Sequence, residues 1–327
     1  PVNWARWNPA PLPGMVRLWT LEAAAHGAEF CSYFRWRQVP FAQEQMHAGL
    51  LRPDNEVAQG GLEAAQAAKD LVPLDLPGKP EQAAVALLFS YEADWLFQTQ
   101  PQGQDFRYIE LVFEMYSALR QLGLNVDIMS HRASLDGYQM IVVPSLPILS
   151  PELVARLETL QVPVIFGPRS GSKTVDFKIP AELPPGPLQA VLPVKVSRVE
   201  SLRPGLTADR NGEQVTRWSE EIISAIPSGN DGDIVHRQND FRYISAWPSN
   251  DLLKSLFSEV AGEAGLPIFA LPSDLRVRTV GAYVFAFNYG PDKLSVSELE
   301  PWSGGWEIVS GTVELEPAGI VIWKKPD

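Results

Sequence analysis

One short stretch near the start of the chain, SYFRWRQVPFAQEQMH, concentrates the side chains that could do chemistry. It carries one carboxylate, Glu44, together with the guanidinium of Arg35, the indole of Trp36 and the imidazole of His47. Neighbouring cations hold a carboxylate ionised, and aromatic rings suit the C–H faces of sugars. The combination indicates a carbohydrate site. A solvated loop carboxylate is the alternative, and the pattern alone does not decide between them.

The elements around this stretch predict where Glu44 is mounted. MVRLWTLEAAAHG has helical spacing and ends on Gly27, and the apolar run AEFCSYFRW that follows has the length of a buried strand. Cys31, within that run, is expected to be a small buried core residue. Strand ends in a parallel α/β barrel face the mouth where active sites lie, so Glu44 is predicted to follow a barrel strand.

The rest of the chain alternates helices and strands and then becomes a β region. GGLEAAQAAKDLV and AAVALLFSYE form a second helix and strand, and the alternation that follows is typical of a doubly wound open sheet. A Pro-rich segment precedes the last helix. The tail alternates apolar and polar residues between Gly and Pro, which indicates a small antiparallel β domain. We therefore predict three domains, 1–102, 103–267 and 268–327.

Composition excludes several classes of partner. The net charge of -12 argues against binding to nucleic acid, which depends on clustered Lys and Arg. No apolar run reaches the roughly 20 residues of a membrane span, so no membrane partner is expected. The single cysteine excludes an intrachain disulfide and fits a reducing, cytoplasmic location. The four histidines are not paired at helical spacing, and no metal ion is expected.

The segment GPRSGSKT is similar to a phosphate-binding loop in sequence but lacks residues that such a loop requires. A phosphate-binding loop needs Gly immediately before its Lys, because the backbone there approaches the phosphates without a Cβ. This chain has Ser172 at that position, and the Pro-rich sequence that follows predicts no helix. We interpret the segment as a loop. A flavodoxin-like nucleotide binder, one alternative for this region, is weakened accordingly.

The stretch around Glu44 resembles a known family. YFRWRQVPFAQEQMHAGLLRPD is similar to the nucleophile segment of glycoside hydrolase family 42 β-galactosidases, and VALLFSYEADWLFQTQ looks like the last barrel strand of that family. The layout of the remaining domains matches over essentially the whole chain. The resemblance implies an α/β protein with three parts in order. These are the C-terminal part of a TIM (β/α)8 barrel, a class I amidotransferase-like open α/β domain and a small antiparallel β domain.

The same resemblance implies roles for individual residues in a retaining mechanism. Glu44 would be the nucleophile, placed after barrel strand seven. Glu92 would match a carboxylate that follows strand eight and binds galactose hydroxyls. Many members carry a sugar-contacting His three residues after that carboxylate, where this chain has Trp95. Many carry Trp eight residues after the nucleophile, where it has Arg52. Trp36 completes the expected substrate-binding set.

The resemblance also implies partners and missing parts. The ligand would be a β-galactoside, and the assembly a homotrimer built on the α/β domain. The acid/base Glu and the six earlier barrel strands would lie upstream, as would the zinc-binding cysteines of some members, so no cofactor is expected in this chain. The 327 residues alone are expected not to hydrolyse galactosides. The alternative is a non-catalytic carbohydrate-binding or scaffolding protein derived from this fold.

Overall fold

The computed structural model describes residues 6–77, 81–226, 232–297 and 305–326. The helices are Met15–Ala25 (α1), Gln59–Leu71 (α2), Tyr91–Thr99 (α3), Tyr108–Gln121 (α4), Pro151–Leu160 (α5) and Asn250–Glu263 (α6). The strands are Val85–Phe89 (β1), Val126–Ser130 (β2), Met140–Val143 (β3), Val164–Phe166 (β4), Val194–Ser201 (β5), Ala208–Arg210 (β6), Glu213–Ser224 (β7), Val235–Gln238 (β8), Phe241–Ile244 (β9), Ala246–Trp247 (β10), Leu275–Val280 (β11), Tyr283–Asn288 (β12), Leu294–Ser295 (β13), Glu307–Gly311 (β14), Glu314–Leu315 (β15) and Ile320–Lys324 (β16).

The chain divides into two compact units. The first unit combines residues 1–81 with residues 271–327, and the second contains residues 82–270. The second unit holds a six-stranded sheet in the order β2-β1-β3-β4-β9-β8, parallel except for the edge strand β8. Every residue of β3 and β4 is buried, as expected for parallel strands with both faces covered. The predicted open α/β sheet is therefore confirmed.

Strand β1 is the main correction to the predicted domains. It was expected to be the last barrel strand, but its Val85 lies opposite Val126 on β2 and opposite Met140 on β3. A buried strand has the same apolar sequence in a barrel and in an open parallel sheet, so the sequence could not distinguish them. The predicted boundary at residue 102 is wrong, and the second unit begins at residue 82.

The Pro-rich region before α6 contains structure that the sequence did not predict. Strands β10, β7 and β5 form an antiparallel sheet, and β6 pairs with β7. Local signals elsewhere in this unit are confirmed. Ser150 accepts a hydrogen bond from the backbone of Leu153 at the start of α5, with Pro151 in the first helical turn. Turns and bends, without a helix, follow GPRSGSKT, in agreement with its interpretation as a loop.

In the first unit, α1 and the C-terminal strands share one core. Strands β11, β12, β16 and β14 form an antiparallel sheet. Leu18 and Leu21 of α1 pack into one buried cluster with Phe285, Phe287 and Ile322. The prediction of a separate domain at residues 268–327 is therefore wrong. An antiparallel sheet has one apolar face that must be covered, and here the N-terminal helices help to cover it.

The predicted strand AEFCSYFRW is not a strand in the structure. None of its residues, 28–36, is assigned to a strand or a bridge, and the nearest bridge joins Arg37, just after the run, to Leu51. Phe30 is 83% exposed, and Cys31 is exposed although a buried core position was expected. No named strand among the described residues pairs with this run. An apolar run forms a buried strand only beside neighbouring strands, so composition was not sufficient here.

Glu63 of α2 joins the two helices of the first unit. Its carboxylate accepts hydrogen bonds from the backbone N–H groups of Gly14 at 2.7 Å and Val16 at 2.9 Å. These groups lie at the N-terminal end of α1, where backbone donors lack intrahelical partners and the helix dipole favours negative charge. Helix α1 has no side-chain cap from its own N-cap residue, Gly14. The buried Glu63 carboxylate performs that role from α2.

We expect Glu63→Ala to lower the free energy of unfolding by about 1–3 kcal/mol, because it leaves partly buried backbone donors at the start of α1 without an acceptor. Glu63→Gln should lose less, since its amide oxygen still accepts a hydrogen bond. Urea denaturation of the 327-residue chain measures both. Lys69→Ala, at an exposed position of the same helix, is the matched control. Equal losses for Glu63→Ala and Lys69→Ala would contradict the capping role.

Candidate functional site

The loop that carries Glu44 is closed at its base by backbone hydrogen bonds. Leu50 N–H donates to the oxygen of Arg35 at 2.8 Å, and Leu51 N–H donates to that of Trp36 at 2.9 Å. Gln38 N–H donates back to Leu51 at 2.9 Å. These bonds pair residues 35–38 with residues 50–51. The residues between them, 38–49, form a loop that we name the Glu44 loop.

Two glycines allow the close approach of backbones at this base. A Cβ on Gly49 would lie 2.7 Å from the backbone of Arg37 and Gln38, which is closer than Cβ contacts allow. A Cβ on Gly61 of α2 would lie 2.4 Å from the backbone oxygen of Leu50. The Glu44 loop is therefore fixed against α2 by backbone contacts that any side chain at these positions would disrupt.

Arg35 and His47 surround the carboxylate of Glu44. A guanidinium N–H of Arg35 donates a hydrogen bond to Oε2 of Glu44, and Nδ1 of His47 lies 4.0 Å from the same oxygen. The Arg35 side chain is 15% exposed and that of Glu44 is 39% exposed. The Phe34 ring contacts both neighbours, with Cζ of Arg35 4.5 Å and the His47 ring 5.9 Å from its centroid. The Arg35 cation stabilises an ionised Glu44, which can accept hydrogen bonds from a ligand.

A cleft of about 560 Å³ lies beside this group within the first unit. Arg35 and His47 form part of its lining, together with Trp19, Tyr33 and Leu12. Its walls are therefore mainly apolar, with a few polar groups at one side. A site of this composition suits a ligand that has both C–H faces and hydroxyl groups.

The other predicted residues of the first unit lie nearby but do not join the ion pair. Trp36 is 72% exposed, and its backbone helps to close the base of the Glu44 loop. The guanidinium of Arg52 pairs with Asp54, and both side chains are about half exposed. Trp36 therefore keeps an accessible ring at the base of the Glu44 loop, whereas Arg52 is engaged in a local turn.

Glu92 and Trp95 belong to the second unit and are not part of the Glu44 loop. Both lie on α3, which follows strand β1. Glu92 pairs with Arg132 at 2.8 Å and accepts a hydrogen bond from the Ser90 hydroxyl at 3.1 Å. Its own backbone N–H and the Ser90 hydroxyl hold the pKa of Glu92 below its usual range. Trp95 is 60% exposed and stacks on Tyr91, with the ring centroids 6.2 Å apart.

The strand pairing removes the basis on which Glu44 was predicted to be the nucleophile. That prediction counted the run before Glu44 as barrel strand seven and β1 as strand eight. Since β1 belongs to the open sheet, the run at 28–36 is the last strand-like segment before the second unit. Glu44 lies in the loop after that run, so the count of strands no longer assigns it to the position of the nucleophile.

His47 is the functional candidate that the sequence assignment missed. It is 7% exposed and lies against both Phe34 and the Glu44 carboxylate. Its spacing from Glu44 in the sequence could have identified it. The family pattern places a sugar-contacting His three residues after the hydroxyl-binding carboxylate, and His47 stands three residues after Glu44. That pattern was applied to Glu92, where it found Trp95, because β1 was assigned to the barrel.

The described residues contain neither a candidate metal site nor a candidate membrane-spanning helix. No group of three or more His, Cys, Asp or Glu side chains in that part of the chain is placed to hold a metal ion. Among the same residues, no helix combines the length and hydropathy needed to cross a bilayer.

Sequence comparison finds matches for both units. Residues 1–74 match a profile described as β-galactosidase, and residues 83–267 match a profile described as the β-galactosidase trimerisation domain. The second match begins next to residue 82, where the structure divides the chain. The sequence profiles and the strand pairing therefore agree that β1 belongs with the second unit.

Two curated relatives illustrate the similarity. A β-galactosidase of Thermus thermophilus is 50% identical over 333 residues, an alignment that covers 99% of this chain and 51% of the relative. A β-galactosidase of Halorubrum lacusprofundi is 32% identical, with 92% of this chain and 48% of the relative covered. The chain spans about half the length of the curated relatives it matches.

Solved structures of β-galactosidases are also similar to this chain over nearly its whole length. The β-galactosidase of the psychrophilic Marinomonas ef1 superposes with a TM-score of 0.91 and is 40% identical, covering 100% of this chain and 52% of that structure. The enzyme of Halorubrum lacusprofundi superposes with a TM-score of 0.89 at 30% identity, covering 98% of this chain and 51% of that structure. Both units of the chain therefore have counterparts of the same fold in these proteins.

We expect Gly49→Ala to open the base of the Glu44 loop, because the added Cβ would collide with the backbone of residues 37 and 38. Trypsin should then cleave faster after Arg37, at the base of the loop, and mass spectrometry of a time course measures this rate. Gly262→Ala in α6, where nothing lies within 4 Å of the added Cβ, is the control. Unchanged cleavage in Gly49→Ala would show that the loop does not depend on this contact.

Proposed function

The chain belongs to the glycoside hydrolase family 42 β-galactosidases, and from this premise we propose that it forms part of a retaining β-galactosidase. The substrate would be a terminal β-D-galactosyl residue. The observation that carries the proposal is the Arg35–Glu44–His47 group beside the cleft, in a chain that is 50% identical to a Thermus thermophilus β-galactosidase.

We assign substrate binding, and not nucleophilic attack, to Glu44. An ionised carboxylate that is oriented by Arg35 accepts hydrogen bonds from sugar hydroxyl groups. His47, which lies beside Glu44, lines the cleft and supplies a second polar group there. Trp36 offers an exposed ring at the base of the Glu44 loop. Hydrogen bonds to sugar hydroxyls that strengthen in the transition state contribute several kcal/mol in glycosidases.

The two reacting carboxylates would then come from outside these residues. A retaining glycosidase needs a nucleophile and an acid/base roughly 5–5.5 Å apart. The nucleophile is expected after barrel strand seven, hence before α1, and the first acidic residue of this chain is Glu22 within α1. Glu22 accepts a hydrogen bond from the hydroxyl of Tyr289. The chain alone would bind a galactoside weakly and not hydrolyse it.

The second unit supports a proposal about assembly. Its match to a trimerisation profile covers residues 83–267, nearly the whole unit. We assign it the role of joining copies of the chain as a homotrimer. Its sheet region contains no cysteine, so the thiol chemistry of class I amidotransferases has no nucleophile there.

A hybrid enzyme tests whether this chain supplies a working half of a β-galactosidase. Residues 1–327 would replace the aligned segment of the Thermus thermophilus relative, to which they are 50% identical. We expect the hybrid to hydrolyse p-nitrophenyl β-D-galactoside with retained anomeric configuration, as followed by NMR, and the 327-residue chain alone to be inactive. A folded hybrid that binds galactose without hydrolysis would favour the non-catalytic carbohydrate-binding alternative.

In the active hybrid, Glu44→Gln should lower kcat/KM by about 10- to 100-fold, the equivalent of one charge-assisted hydrogen bond. Azide should not rescue this variant, because Glu44 does not form the covalent intermediate. Glu56→Gln, at an exposed position beyond the Glu44 loop, should retain full activity.

The nucleophile itself can be located chemically in the same hybrid. A 2-deoxy-2-fluorogalactoside with an activated leaving group traps the covalent intermediate, and peptide mapping identifies the labelled carboxylate. We expect the label on a residue outside this chain. A label on Glu44, or azide rescue of Glu44→Gln, would refute the assignment of Glu44 to substrate binding.

A further inference from the structure

Three side chains from different parts of the first unit meet in one polar cluster. Asp70 lies near the end of α2, Arg17 lies on α1, and Ser310 lies on β14 of the C-terminal sheet. Nε of Arg17 donates to Oδ2 of Asp70 at 2.6 Å, and its Nη2 donates to Oγ of Ser310 at 3.2 Å. The Ser310 hydroxyl in turn donates to Oδ1 of Asp70 at 3.0 Å. We name these three residues the Asp70 cluster.

The Asp70 cluster is largely withdrawn from water. The Asp70 side chain is 7% exposed and that of Arg17 is 19% exposed. An ion pair at this depth is screened less than one at the surface, and its charge-assisted hydrogen bonds hold the partners in one arrangement. Ser310 therefore attaches strand β14 to the ion pair that joins α1 to α2.

Further polar contacts join the same C-terminal sheet to the helices. The hydroxyl of Tyr289, directly after β12, donates to the carboxylate of Glu22 on α1. The hydroxyl of Tyr283 on β12 accepts from the N–H of Asp75, beyond the end of α2, at 3.2 Å. The sheet is therefore attached to both helical segments, and Ser310 contacts α1 and α2 at one point.

The other end of α2 lies at the cleft and at the base of the Glu44 loop. Gly60 of α2 lines the cleft, as does His47. The N–H of Ala58, directly before α2, donates to the backbone oxygen of Leu50 at 2.9 Å. One end of α2 therefore forms a wall of the site, while the other end is held by the Asp70 cluster.

Helix α2 connects these two places as a single stiff element. It extends over 13 residues, or about 20 Å at 1.5 Å per residue. A shift or rotation of α2 at the Asp70 cluster would move the backbone that supports the Glu44 loop, because packed helices carry displacements along their length. Misplacement of a functional group by about 1 Å is sufficient to reduce enzyme activity. The attachment of α2 to the C-terminal sheet therefore bears on the site.

We propose that Ser310 is a positioning residue for the carbohydrate site. Through Asp70 and Arg17 it fixes α2, and α2 in turn fixes the Glu44 loop. The inference rests on the proposed function and gives the C-terminal strands a part in it. These strands contribute no side chain to the lining of the cleft, so their effect on the sugar passes through the helices.

Hydrogen exchange measures the state of the Glu44 loop in the 327-residue chain itself. Ser310→Ala removes both hydrogen bonds of the hydroxyl and changes neither helix. We expect the backbone amides of Leu50 and Leu51, which close the base of the loop, to exchange at least about 3-fold faster in this variant. Ser310→Thr retains the hydroxyl and should restore slow exchange.

Ser295→Ala is the matched control. The Ser295 hydroxyl donates to the carboxylate of Glu314 at 2.6 Å, a bond between β13 and β15 that involves neither α1 nor α2. The control therefore removes a comparable hydrogen bond from the C-terminal strands. Exchange of Leu50 and Leu51 that is unchanged in Ser310→Ala, or accelerated equally in Ser295→Ala, would overturn the proposal.

A double-mutant cycle in the hybrid enzyme separates positioning from loss of folded protein. We expect Ser310→Ala to raise KM for p-nitrophenyl β-D-galactoside and to lower kcat/KM by about 2- to 10-fold, the equivalent of one hydrogen bond. In the Glu44→Gln background the same change should have little effect, because the carboxylate that Ser310 positions is already absent. Loss of folded protein would instead lower kcat, leave KM unchanged and act equally in both backgrounds, which would contradict the positioning role.

The outcomes also separate this inference from the proposed function. A folded hybrid without activity would overturn the proposed β-galactosidase role, and hydrogen exchange in the 327-residue chain would still decide whether Ser310 controls the Glu44 loop. An active hybrid in which Ser310→Ala and Glu44→Gln have independent effects would overturn the positioning role and leave the proposed function standing.

Discussion

The first unit depends on covering the apolar face of its C-terminal sheet. Phe285 and Ile322 on that sheet pack against Leu18 and Leu21 of α1, so the beginning and the end of the chain share one core. Glu63 then fixes α1 to α2 through the backbone at the start of α1. Because Gly61 of α2 lies against the backbone of the Glu44 loop, the position of that loop follows from this packing.

The Glu44 site shows how electrostatics and packing combine in a short loop. The chain supplies the carboxylate, the cation that keeps it ionised and the histidine beside it from within 13 residues. The ring of Phe34 contacts both of the flanking side chains and limits their movement. These features leave an oriented carboxylate that is 39% exposed. Nucleophilic attack requires a second carboxylate at a fixed separation, and the residues before α1 contain none.

In the second unit, a fully buried charge stabilises the fold. Glu220 is completely buried, and its carboxylate is satisfied by three hydrogen bonds and by the nearby guanidinium of Arg169 at 3.6 Å. Such a group is costly to bury unless its partners are all in place, so it determines one arrangement of the loop after β4. The hydrogen bonds of Glu220 therefore hold the loop after β4 against strand β9.

The sequence alone determined the features that depend on local periodicity and capping. Helix α1 with Gly27, helix α5 with Ser150 and the buried strands of the open sheet were all predicted, because the relevant interactions lie within a few residues. The carboxylate at Glu44 and its cationic and aromatic neighbours were also visible, since they lie in one segment.

Only the tertiary structure decided which sheet each strand joins. The apolar run of β1 suits a barrel and an open sheet equally, and its pairing with β2 and β3 gave the answer. That pairing placed Glu92 and Trp95 in the second unit and left Glu44 in the first, with His47 beside it. Strand partners are distant in sequence and chosen by packing, so spacing along the chain could not reveal them.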